Sequence, residues 1–258
     1  MRGSRVGRAV PLAFCLALLI TASGVARAED AVTERAEEAR RIADLVARLK
    51  SEDVDARRQA VAEAKREQAP AVTAELVRRI PDADEKVRIA AIAALGARTE
   101  TAARKDAAGH LASRLARVTR NEQREERFAA LRALHDLAQP STLKALEDGV
   151  ALDMEPEELA LRLRAIANLP CDEAIEWLIK ARSSSGRGGR AGRGYGGRMM
   201  RDAWEYATGQ PRPSNDPDAW RTWWSERKDS WDHAEALARR KSDGGGPTAR
   251  PNVATEGG

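Results

Sequence analysis

The chain has 258 residues, 33% of them charged and only 4% aromatic, enough for one large domain or two small ones. Its 44 basic side chains exceed its 40 acidic ones only through the four arginines of residues 1–28, where no acid stands. The balanced remainder argues against a globally basic nucleic-acid binder, and its lone cysteine, Cys171, excludes an intrachain disulfide.

Arg2, Arg5 and Arg8 precede an apolar run from Val10 to Ile20, short for a bilayer span, and Ala26-Arg27-Ala28 is a small-x-small cleavage site. The pattern predicts a signal peptide over 1–28, export to the periplasm or beyond, and no membrane span after cleavage. The alternative is an uncleaved anchor.

Residues 31–50 hold Ile42, Leu45, Val46 and Leu49 at helical spacing, and a second helix runs through Ala56, Ala60, Val61 and Ala64. Leu76, Val77 and Ile80 mark a third, which Pro81 ends. The next segment, from Asp84 to Gly96, carries two apolar stripes. Val87, Ala90, Ala91, Ala94 and Leu95 form one, and Ile89, Ile92 and Ala93 the other. A helix apolar on two sides needs neighbours on two sides. Shifted by about 31 residues, the first pair lies on the second. Leu45 falls on Leu76, Leu49 on Ile80, Asp53 on Asp84, Arg57 on Arg88 and Val61 on Ile92.

The pattern returns more loosely. Leu111 and Leu115 open a third pair, completed by Arg127 to Leu134. A fourth begins after Pro140, with Ser141 as its expected cap, and continues from Pro156 through Leu163, Ile166 and Leu169. A fifth holds Ile175 to Ile179 and then Met199 to Thr208. No alternating strand segment interrupts them.

Arg57, Arg88, Arg127, Arg162 and Arg201 stand in one column of the second helices. With Asp82-Ala-Asp-Glu-Lys-Val87-Arg88 and the apolar run to Leu95-Gly96, the chain here resembles the HEAT-repeat family in its short form. The resemblance implies an all-α, right-handed α-solenoid of about five antiparallel helix pairs, with repeats over 29–182. It also implies an inter-repeat ladder in which Asp82 pairs with the arginine column. The positions corresponding to Asp82 are Ser51, Asn121, Pro156 and Tyr195. The alternative is a column that lines a binding surface.

Residues 183–198 are Ser-, Gly- and Arg-rich and read as a flexible loop, in which Arg187, Arg190, Arg193 and Arg198 suit contact with a polyanion. The plainer reading is a soluble insertion. Residues 199–240 hold the last repeat helix and a tryptophan-rich end, and 241–258 read as a disordered tail. Asp216 and Pro217 suit the start of a helix on which Trp220, Trp223, Trp224 and Trp231 share one face, with Trp204 upstream. The stretch from Thr208-Gly209-Gln210 to Trp223-Trp224 resembles the ending of secreted bacterial HEAT-repeat proteins, where such a motif closes the array. The competing role is an aromatic platform for glycan or peptide.

His110, His135 and His233 are scattered, and no nucleotide loop or metal-ligand spacing occurs. No cofactor or catalytic residue is expected. The reading is an exported, non-catalytic scaffold for a protein partner, with nucleic acid not expected. Two alternatives accompany it: a bilin lyase or isomerase, as some similar HEAT-like proteins are, and polyanion binding through the Gly/Arg segment.

Overall fold

The computed structural model describes residues 12–118, 123–148, 150, 154–186, 195–211 and 213–242. Among these every regular element is helical. The first four pairs are α1 (Leu12–Leu49) with α2 (Val54–Ala64), α3 (Pro70–Arg79) with α4 (Glu85–Gly96), α5 (Thr101–Leu115) with α6 (Arg124–Leu137), and α7 (Leu143–Glu147) with α8 (Pro156–Ala167). A fifth pair is α9 (Asp172–Gly186) with α10 (Tyr195–Thr208), followed by α11 (Pro217–Ser225) and α12 (His233–Ser242).

The helices form two rows. Second helices α2, α4, α6, α8 and α10 each pack on the next, and first helices α1, α3, α5 and α7 form the other row. The molecule is an all-α solenoid. Equivalent positions in the first two repeats do the same work. Leu45 and Leu76 are buried, as are Leu49 and Ile80, and Val61 and Ile92. The carboxylates of Asp53 and Asp84 cap α2 and α4 by accepting from backbone N–H groups in the first turn. Between α4 and α6 the backbones meet closely. A Cβ added at Gly96 would lie 2.9 Å from both Cα and Cβ of Ala133.

Four expectations change. The first helix does not begin near residue 31; α1 runs unbroken from Leu12. Its side chains from 32 to 41 are all exposed, and among the described side chains the first buried one is Leu45. Ser141 caps nothing; it lies in a 3-10 turn over Pro140–Thr142, ahead of a first helix only five residues long. The segment expected to be a loop over 183–198 is helical at both described ends, because α9 continues to Gly186 and α10 starts at Tyr195. The second stripe of α4 divides: Ile92 is buried, while Ala93 is exposed.

The tryptophan-rich end continues the two rows. α11 packs on α9 and α12 on α10, so the last two helices take the places of a sixth pair. Gly209, at φ +60°, ends α10 and gives its N–H to the Glu205 carbonyl at 2.9 Å.

Candidate functional site

The arginine column is drawn into three buried ionic groups, each an acid held between two guanidinium groups. Arg57 on α2 donates to Asp82 at 3.0 Å, and Arg79 reaches the other Asp82 oxygen at 3.4 Å. Arg88 on α4 donates to Glu126 at 3.0 Å, and Arg114 donates to the same carboxylate. Arg127 on α6 donates to Glu158 at 3.0 Å, and Arg162 meets it at 3.1 Å. Each seam from the first repeat to the fourth therefore joins an arginine to an acid of the following repeat.

The geometry differs from simple pairing of Asp82 with Arg88. Arg88 takes the Asp82 backbone carbonyl at 2.8 Å, while Arg57 of the preceding repeat holds the carboxylate. Arg57 uses the Ser51 carbonyl in the same way, at 2.9 Å. In the first two repeats the position six before the arginine thus serves its own arginine through the backbone carbonyl. Burial pushes the Asp82 carboxyl up, but Arg57, the Asp84 N–H and Arg79 together hold it below the usual carboxylate range. The fourth arginine, Arg162, turns to Glu158 on its own helix and to the Leu146 carbonyl at 3.1 Å. Asn121 lies outside the described residues.

A second tie, with no signal in the repeat pattern, runs through Arg98. This residue is 1% exposed. It donates to the carbonyls of Ala64 at 2.8 Å, Lys65 at 3.1 Å, Ala94 at 3.2 Å and also Glu67. It thereby caps the carboxyl end of α2 from the following repeat. Burial lowers its pKa from the ordinary value, opposed by the charge of Glu67.

Further along the second row, three successive helices contribute to one polar chain. His135 on α6 lies 2.9 Å from the Asp136 carboxylate and 3.3 Å from the Tyr206 hydroxyl on α10. That hydroxyl donates to Asn168 at 3.4 Å, and the Asn168 amide donates to the His135 carbonyl at 2.7 Å. Arg164 on α8 is exposed and stands 5.7 Å from the Tyr206 ring centre. Among the described residues it meets no carboxylate.

The tryptophans cluster. Trp204, Trp220 and Trp224 are buried, and Trp223 and Trp231 are half-buried. Ring centres of Trp204 and Trp220 lie 4.7 Å apart, and Trp204 meets Trp223 edge-on at 5.3 Å. Trp231 is not on the helix of Trp220, as its spacing suggested. α11 stops at Ser225, and a turn over Lys228–Ser230 brings Trp231 back against Trp223 at 5.5 Å and Trp224 at 5.7 Å. Trp220 donates its indole N–H to the Ser214 carbonyl at 2.8 Å. Arg182 is buried and ties the end of α9 to the Asn215 carbonyl at 3.3 Å.

Of the four arginines assigned to polyanion contact, Arg198 is exposed on α10, and Arg187, Arg190 and Arg193 lie outside the described residues. Cys171 is half-buried; burial, with Glu173 and Asp172, pushes its thiol up to about 11, so it is protonated at neutral pH. Among the described residues no group of three or more His, Cys, Asp or Glu side chains is placed to hold a metal, and no helix is long and apolar enough to cross a membrane.

No family model matches the chain, and no curated protein matches it. Two engineered proteins of known structure resemble it, each at 20% identity. One aligns with a TM-score of 0.47 over 78% of this chain and 96% of its own. The other aligns at 0.46 over 77% and 56%. A designed armadillo repeat protein aligns at 0.30 and 16% identity, over 64% of this chain and 98% of that one. Scores this low carry no weight for fold or function; the solenoid stands on its own helices and their two rows.

Proposed function

We propose that the protein is an exported scaffold of the HEAT-like kind that presents its second-helix row to a protein partner. The observation that carries this reading is the Arg164–Tyr206 stack with His135 and Asn168. Side chains of three successive repeats meet there, and Arg164 remains exposed. A solenoid buries only contacts between neighbours and leaves such a row free along its length. The three arginine–acid groups hold the row in register, and the tryptophan-rich end covers the apolar face of the last repeat. Export is supported by the basic start at Arg2, Arg5 and Arg8, the apolar run from Val10 to Ile20 and the small-residue site at Ala26–Ala28.

Capture of partners from the exported fraction tests the reading. Wild-type protein should retain a protein partner that Arg164→Glu releases while its melting midpoint stays unchanged. Equal retention by both proteins would remove this surface from consideration. Mass spectrometry of the exported chain should find Glu29 at its amino terminus.

A further inference from the structure

On the other row a groove of about 370 Å³ opens between α9 and α11. Glu176, Ile179 and Lys180 line it from α9, Arg221, Trp224 and Ser225 from α11, and Lys228 from the turn that follows. Both helices contribute at spacings of three and four, so each presents one face to the opening. Ile179 and Trp224 are buried and make an apolar floor, while the charged residues are exposed at the rim. Three of those charges are cations and one, Glu176, is a carboxylate. Glu176 lies 3.6 Å from Lys228, and Arg221 also meets Asp218, outside the lining.

We infer that this groove receives an acidic peptide segment of a partner protein that carries one large apolar side chain. The volume is at the small end of ligand sites and suits a single anchoring side chain. The rim cations suit carboxylates on either side of that anchor and would speed its encounter with the groove. Lys228 can leave Glu176 for a peptide carboxylate without disturbing buried structure, since both side chains are about half exposed. In the floor, Trp224 packs edge-on against Trp231. The groove belongs to the first-helix row and is separate from the Arg164 surface, so either can fail without the other.

The test uses the full mature chain and three labelled synthetic peptides read by fluorescence anisotropy. One has leucine flanked by glutamates, one leucine flanked by lysines, and one serine flanked by glutamates. The glutamate–leucine peptide should bind, the lysine peptide should not, and the serine peptide should bind more weakly by at least about tenfold. Lys180→Glu combined with Lys228→Glu should weaken binding at least about tenfold. Ser225→Trp, which fills the groove from an exposed position, should abolish it while circular dichroism stays unchanged. Equal binding of leucine and serine peptides, or binding that survives Ser225→Trp, would mean unspecific attraction and overturn the inference. So would absence of peptide binding, including the case in which the same variants instead release the protein from anionic phospholipid vesicles.

Discussion

Glu158 has a guanidinium on each side and is buried. Neutralising it leaves two cations facing each other out of water, which costs about 3–5 kcal/mol. Glu158→Gln should therefore lower the melting midpoint by on the order of 10 °C. Exposed Arg132→Ala should change stability by no more than about 0.5 kcal/mol. The column arginines of these groups were legible in the sequence because they repeat on one helix face, and Asp82 was legible through the family resemblance. Glu126, Glu158 and the flanking Arg79 and Arg114 were not. Asp82 stands six residues before its repeat's arginine, Glu158 four and Glu126 one. Three different approaches reach one point in space, and no linear spacing records that. Arg98 was silent for a related reason: it follows the helix stop, where repeat patterns end. Asp84 gives a pH signature. The Arg58 hydrogen bond first, then the Val87 N–H, hold its carboxyl down to about 2. A depressed folded pKa contributes stability above the unfolded value, about 4, and that contribution is lost as pH falls through about 2. Asp84→Asn should flatten this acid limb in denaturant midpoints measured from pH 6 to pH 2.

At the level of elements, helix spacing located the first five helix pairs, but it misjudged the fourth pair's opening and the start of the first, and it merged α11 with the separate α12. α7 has only five residues, too few to show a period. A cleavage pattern and a helix can occupy the same residues, so α1 runs through the expected cut. Close approach of helices is a further thing spacing does not show. Gly96 reads as a stop signal, yet Ala133 occupies the place its side chain would take. Gly96→Ala should cost about 1–3 kcal/mol through overpacking. Adding Ala133→Gly should recover part of it in a double-mutant cycle. The tryptophan pair separates in the same way. Trp224 is buried, and Trp224→Ala should cost about 3–5 kcal/mol. Trp223 is half-buried, with Arg227 4.8 Å from its ring centre, and its alanine variant should cost less. Chemical denaturation of the two variants compares them directly.

For the whole molecule, the final helices are the part whose role was least legible. A row of tryptophans at helical spacing reads as a cap with a platform as the alternative, and the difference lies in which rings are covered. With Trp204, Trp220 and Trp224 buried across α10 and α11, deletion of 214–258 should expose apolar surface. The truncated protein should aggregate in light scattering, and deletion of 243–258 alone should not. A soluble, fully helical 29–213 fragment would assign the rings to partner binding instead.

The end of the arginine–acid series at Arg162 also divides the molecule by temperature. Ion pairs lose less to desolvation as temperature rises, whereas apolar contacts weaken on cooling. Among the described residues no ion pair joins α8 to α10; their seam rests on apolar packing, the Tyr206–Asn168 contact and the Arg164 guanidinium over the Tyr206 ring. That joint is therefore the cold-sensitive point of the solenoid. In a chilled sample, amide exchange should quicken first in α10, while the amides of α2, α4 and α6 stay protected.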